Sequence, residues 1–212
     1  MKILDFGSSE RLVKKYRLNT PKQIVVKNLK QALNAAKQIR YPLVMKLLSD
    51  KLVHKTDVGA VITDIKDDDD LEQAFYALQK VAKKHRIKFE AVLVQEKLKG
   101  IEFIVGGKKD PQFGPFVLFG LGGIFTEIIE DISIRICPVS RMDAEEMVNE
   151  IRGKKVMDGI RGLPPVNKRQ LVETIIKVSK MMEKEKIAEM DLNPVICNEN
   201  ACYCADVRIV RE

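Results

Sequence analysis

The chain has 212 residues, 45% of them hydrophobic and 32% charged, enough for one large domain or two subdomains with an ordinary core. No apolar run approaches the roughly 18–20 residues of a membrane span, and charges interrupt the N-terminus where a signal peptide needs its apolar stretch; a cytoplasmic protein with no membrane partner is expected. The net charge is +7, from 37 Lys and Arg against 30 Asp and Glu, but the basic residues are scattered and no nucleic-acid signature accompanies them, so no nucleic-acid partner is expected.

In chain order, residues 9–17 read as a helix, and 24–26 as a short β-branched strand. Asn28 with Gln31 is an N-terminal capping pair that opens a helix through Ile39. Strands come next at 43–48 and 61–65, then a helix capped by Asp70 and Gln73 that runs to about His85. Further strands are expected at 91–95, 101–106 and 115–119, helices at 142–152 and 167–184, and two closing strands near 188–196 and 201–210. This mixture predicts an α+β protein of two mixed subdomains, the smaller at about 21–97 and the larger at about 98–212 with 1–20 packing on it. Ligands favour clefts between such units.

Four stretches carry candidate chemistry. Gly120-Leu121-Gly122-Gly123 follows an apolar strand, where glycines let backbone N–H groups approach phosphate oxygens; it also reads as a plain glycine turn. Gly107-Lys108 lacks the earlier glycine and the Ser or Thr of a Walker loop. Lys46 interrupts the apolar strand Tyr41-Pro42-Leu43-Val44-Met45-Lys46, so its ammonium needs an anion such as phosphate, or a route to water. His54 lies in a polar loop with Lys51 and Lys55; its imidazole suits phosphoryl transfer, or it is a surface residue. Period-two alternation puts Asp191 and Asn193 on one face, and Asp206 comes opposite Asn193 if the last strands pair. Their oxygens suit Mg²⁺, although Asn193-Pro194 also reads as turn chemistry. Cys197, Cys202 and Cys204 lack zinc spacing, and the cysteines read as buried free thiols.

Taken together and in order, these stretches resemble the β subunit of ADP-forming acetyl-CoA synthetases. The match runs from about Leu12 to Arg208. Its most specific parts are Tyr41-Pro42-Leu43-Val44-Met45-Lys46, Leu52-Val53-His54-Lys55-Thr56-Asp57-Val58-Gly59, Asp110-Pro111-Gln112-Phe113-Gly114-Pro115, the glycine loop at 119–125, and Met190-Asp191-Leu192-Asn193-Pro194. Succinyl-CoA synthetase is the more distant relative. The resemblance implies an ATP-grasp fold that clamps Mg-nucleotide between two subdomains. It implies that Lys46 contacts nucleotide phosphates and that Glu96, Lys97 and Leu98 form a hinge beside adenine, mainly through backbone. Glu102 then reaches the ribose hydroxyls, and Gly122 and Gly123 lie near the transferred phosphate, with Arg135 after them as a catalytic cation. Asn193 and Asp206 hold Mg²⁺. His54 carries phosphate to ADP, and Asp191 orients the phosphohistidine.

The same resemblance implies a CoA-binding α subunit as a separate chain in a hetero-oligomer, because nothing here resembles a CoA-binding Rossmann domain. Three positions depart from the family pattern: Ala60 replaces a second glycine after Gly59, the segment from Glu96 to Glu102 is one residue short, and Arg40 stands where a glycine is usual. A nucleotide-binding regulatory subunit without turnover, a succinate–CoA ligase-like subunit and a basic nucleic-acid binder are the alternatives.

Overall fold

The computed structural model describes residues 1–49, 58–123, 131–159, 162 and 164–212. They form two compact units, Pro21–Leu98, and Met1–Thr20 joined with Lys99–Glu212.

The Pro21–Leu98 unit is a four-stranded antiparallel sheet of β2 (Gln23–Val26), β3 (Leu43–Leu48), β4 (Val61–Ile65) and β5 (Ala91–Glu96), in the order β2-β5-β3-β4. Helices α2 (Leu29–Ile39) and α3 (Asp68–Lys84) belong to the same unit. Alternation along β3 explains its packing: Leu43, Met45 and Leu47 are fully buried in a core with Ala32, Ala36, Leu71 and Leu78 of the helices. Asn28 caps α2 as its sequence predicts, its side chain accepting from Gln31 N at 2.9 Å. The cap of α3 is corrected. Asp67, not Asp70, is the N-cap, and Asp70 instead accepts from Lys66 N. In a run of four aspartates each can cap, and the chain path decides among them.

Arg40 ends α2 at φ 79° and ψ 147°, a backbone region that side chains avoid because Cβ crowds the neighbouring carbonyl. Such a residue costs about 1–3 kcal/mol, against roughly 0.5–1 kcal/mol of extra chain entropy lost by a glycine. Arg40→Gly is therefore expected to raise thermal stability by about 1 kcal/mol, a few degrees in Tm. An unchanged or lowered Tm on thermal unfolding would show that the Arg40 conformation is unstrained. Ala60 carries no such strain. It is fully buried in the core, and its carbonyl accepts from Leu47 N at 2.9 Å, while Gly59 before it takes the positive φ of 70°.

The second unit is built on a seven-stranded sheet with the path β1-β11-β9-β6-β7-β8, β10 pairing with β9 beside it. The strands are β1 (Lys2–Ile3), β6 (Ile101–Asp110), β7 (Gly114–Leu121), β8 (Ile132–Ile136), β9 (Ile187–Cys197), β10 (Cys202–Cys204) and β11 (Val207–Arg211). Helices α1 (Phe6–Lys15), α4 (Arg141–Glu150) and α5 (Lys168–Lys184), with a 3₁₀ turn over Arg152–Asp158, complete the unit. Phe103, Val105, Val117, Phe119, Met190, Leu192, Val195 and Ile209 share one core with Leu171, Ile175, Val178 and Met182 of α5. Gly107 lies in this packed layer: a Cβ there would stand 2.6 Å from Met182 Cγ. Its glycine thus serves strand–helix packing. The opposite face of the sheet is free of these helices, and alternation assigns Glu102, Ile104, Gly106, Asp191, Asn193 and Arg208 to it.

Two of the four cysteines depart from the expected free thiols. Cys197 and Cys202 face each other across the β9–β10 hairpin with Cα atoms 4.0 Å apart and are joined as a disulfide. Cys137 and Cys204 are buried and free. Burial pushes the Cys204 thiol up to about 12, which keeps it protonated and inert.

Candidate functional site

On the seven-stranded unit the helix-free face bears the predicted residues Glu102, Asp191, Asn193 and Asp206. Pairing of β6 with β9 shifts register between Phe103 and Val105, a bulge that places Asn193 and Pro194 together against Ile104. On the far side of β9, Cys204 pairs with Val195 and Val207 with Leu192, so Ala205 and Asp206 come opposite Pro194 and Asn193. Ala205 N donates to Pro194 O at 3.0 Å, and Asp206 Oδ1 accepts from Val207 N at 3.0 Å. Asn193 is exposed and Asp206 half-buried, an amide and a carboxylate side by side on one face. Among the described residues, no three His, Cys, Asp or Glu side chains converge as a metal cage. Two hard oxygen donors on an accessible face suit a Mg²⁺ that draws its other ligands from phosphate and water.

Asp191 lies one alternation along from Asn193 on the same face, paired with Arg208 of β11. Arg208 Nη1 donates to Glu189 Oε1 at 2.5 Å, while its Nε is buried without a hydrogen-bond partner among the described residues. Arg208 and Glu189 carry no motif that singles them out in the sequence, yet the alternation that selects Asp191 and Asn193 selects Glu189 as well.

Glu102 joins this face from β6. The pairing of β6 with β7 brings the glycine loop to it: Gly122 N donates to Glu102 O at 2.8 Å. A Cβ on Gly122 would meet the Glu102 backbone at 3.0 Å, and Gly123 takes a φ of 68°. Both positions therefore require glycine, the first for close approach and the second for its backbone angle. The Glu102 carboxylate is exposed beside them.

Arg135 is not brought to this face. It pairs with Val117 and lies on the α4 side of β8, one residue out of phase with Ile134 and Ile136. Its guanidinium forms ion pairs with Glu150 and, at 3.6 Å, Glu146, both on α4. The hydrogen bond to Glu150 raises the Arg135 pKa, and the same bond lowers that of Glu150. Arg135 thus bridges β8 and α4 through these ion pairs.

On the four-stranded unit, Lys46 faces away from the core set Leu43, Met45 and Leu47 and is buried, with 6% of its surface exposed. A lysine held this far from water is positioned to meet a negative charge. Glu96 and Lys22 form a reciprocal pair: Lys22 N donates to Glu96 Oε1 at 2.7 Å, and Glu96 N to Lys22 O at 2.9 Å. Lys97 N donates to Pro42 O at 3.1 Å, and its ammonium is paired with Asp64, whose pKa this bond lowers. Leu98 comes next, half-buried. The side chains of Glu96 and Lys97 are thus engaged within their own unit. His54 lies outside the described residues.

A family model for the ATP-grasp domain matches residues 1–210. The chain is 42% identical over 203 residues to an ADP-forming acetate–CoA ligase II of Archaeoglobus fulgidus, a match that covers 95% of this chain and 29% of that protein. It is 37% identical over 206 residues to the β subunit of ADP-forming acetate–CoA ligase I of Pyrococcus furiosus, covering 95% of this chain and 89% of that subunit. The acetyl-coenzyme A synthetase 1 of Candidatus Korarchaeum cryptofilum, solved with coenzyme A and Ca-AMPCP, is 35% identical and superimposes with a TM-score of 0.93 over 100% of this chain and 94% of that one. The same synthetase with coenzyme A and Mg-AMPPCP, its phosphohistidine segment pointing towards the nucleotide binding site, gives a TM-score of 0.81 at 34% identity, over 99% of this chain and 92% of that one. The α+β architecture is that of the ATP-grasp fold. The chain belongs to the ATP-grasp domain family, in the group formed by the ADP-forming acetate–CoA ligases and their β subunits.

Proposed function

We propose that the chain is the nucleotide-binding part of an ADP-forming acyl-CoA ligase, moving a phosphoryl group between a phosphohistidine and ADP or ATP with Mg²⁺. The observation that carries this reading is the pairing of β9 with β10 and β11, which sets Asn193 and Asp206 opposite one another on the face that also bears Asp191 and Glu102. On the seven-stranded unit, Asn193 and Asp206 hold the metal through oxygen, and Glu102 receives the ribose hydroxyls. The Gly122–Gly123 backbone approaches the phosphate, and Asp191 orients the phosphohistidine. Mg²⁺, when bound, neutralises charge on the nucleotide phosphates. On the four-stranded unit, Lys46 attracts nucleotide phosphates. With Glu96 and Lys97 engaged through their side chains, base contacts along 96–98 fall to main-chain groups. Arg135, after the glycine loop, is the catalytic cation of this reading.

His54 is the phosphoryl carrier. Phosphoryl transfer asks little covalent chemistry of a protein beyond such a carrier, and otherwise asks for positioned cations and N–H donors. The acyl-CoA step belongs to a separate CoA-binding chain, as the likeness to a β subunit supports. There, acyl-CoA and phosphate give acyl phosphate and CoA. The phosphoryl group then moves from acyl phosphate to histidine, releasing the carboxylate, and from histidine to ADP, forming ATP.

The isolated chain is therefore expected to bind ADP in the presence of Mg²⁺, measured by calorimetry, and to make no ATP from acetyl-CoA, ADP and phosphate. ATP formation appears when the CoA-binding chain that copurifies with it is added. Robust turnover by the isolated chain contradicts this division of labour.

A further inference from the structure

Asp131 comes just before β8 and is half-buried. Its two carboxylate oxygens each accept a backbone N–H from the start of the 3₁₀ turn, Oδ1 from Arg152 N and Oδ2 from Gly153 N, both at 2.7 Å. The first N–H groups of a helical turn have no partner within it and are usually met by the residue that precedes the turn. Here that residue is Ile151, whose side chain makes no such bond. The cap comes instead from the far side of the glycine stretch.

These contacts reach the glycine stretch from two directions. A Cβ on Gly153 would overlap Leu121 Cδ1, so the capped end of the turn packs directly on the buried side chain between Gly120 and Gly122. From the other direction, Gly120 pairs with Ile132, and a Cβ on Gly120 would stand 2.7 Å from Asp131 O. The carbonyl of Asp131 thus lies against Gly120, while its carboxylate holds the turn that abuts Leu121. Gly120 and Gly153 are glycines because this packing leaves no room for a side chain. The next residue after Leu121 is Gly122, whose N–H is bound to Glu102 O.

We infer that Asp131 is a positioning residue of the phosphoryl-transfer site, holding Gly122 and Gly123 where their backbone meets the phosphate in transit. The inference rests on the function proposed above. Asp131 acts through Gly153 and Leu121 and touches no substrate itself. Backbone donors stabilise a transferred phosphoryl group only when they are fixed in advance, and a displacement of about 1 Å costs roughly 10²-fold in rate. ADP lacks the phosphate in transit, so its binding does not draw on this arrangement.

Steady-state ATP formation by the complex with the CoA-binding chain tests the role, at a temperature where circular dichroism shows each variant folded. Asp131→Asn keeps one oxygen and sets an amide NH₂ against the second N–H donor. It lowers kcat by about tenfold or more and leaves KM for ADP within about twofold. Gly153→Ala keeps the carboxylate and displaces Leu121; it gives the same split, and it serves if Asp131→Asn does not fold. Gly123→Ala, at a position of φ 68°, lowers kcat on its own, and the double variant of Asp131 and Gly123 loses little more. A folded Asp131→Asn with wild-type kcat overturns the inference. So does a double variant whose losses multiply, because a plain cap acts independently of the glycines. A loss in Gly123→Ala alone removes the role of Asp131 and leaves the proposed function standing. Wild-type kcat in Gly123→Ala takes the glycines out of phosphate transfer, and the inference falls with that assignment.

Discussion

Asp206→Ala is expected to weaken Mg²⁺-dependent ADP binding by about 10²-fold while leaving metal-free ADP binding within about twofold. On the proposed reading Asp206 supplies a hard, charged oxygen, and Asn193, opposite it on β9, supplies a neutral one. Removing the charged donor leaves the metal held by the amide, water and phosphate alone. A hundredfold loss corresponds to about 2.7 kcal/mol. The bond from Val207 N to the Asp206 carboxylate is local, between adjacent residues, and an unchanged Tm of the variant separates loss of metal from loss of fold. Calorimetric titrations with Mg²⁺ and with a chelator separate the effects. Equal losses in both would put the metal elsewhere on the chain.

His54→Asn is expected to lower ATP formation by the complex with its CoA-binding partner by at least about 10³-fold. Asparagine keeps much of the size and hydrogen bonding of histidine but has no nucleophilic nitrogen. Binding of Mg-ADP should change by less than about threefold, because on the proposed reading the carrier accepts phosphate and does not hold the nucleotide. Gly59, at φ 70°, gives the chain after this segment a conformation that side chains avoid, and Ala60 anchors the start of β4 in the core. Turnover of the variant at the wild-type rate would leave His54 a loop residue.

The elements legible in the sequence are those whose local signals agree. Alternation in Leu43-Val44-Met45-Lys46-Leu47 announces both β3 and the outward-facing lysine. Asn28 with Gln31 announces the start of α2. The facing of Asn193 and Asp206 comes from period two once the closing strands pair, which they do through β9, β10 and β11. The features that are not legible depend on long-range pairing or on a single step of parity. Glu102 and Gly122 meet only because β6 and β7 fold back on each other. Arg135 comes after the glycine loop in sequence, but one residue of phase sends it to the α4 side, where Glu150 holds it. The Cys197–Cys202 pairing needs the hairpin turn at 198–201, where Asn198 N donates to Ala201 O at 3.0 Å. Nothing in the cysteine spacing alone signals that turn.

Transfer through a histidine of this chain is tested most directly by tracking the phosphate itself. The complex with its CoA-binding partner, incubated with Mg²⁺ and ATP labelled at the γ position, should place label on this chain in a bond that is acid-labile and base-stable. The labelled peptide should contain His54, and added ADP should discharge the label as ATP. Label that is absent from this chain, stable to acid, or still present in His54→Asn would contradict the account.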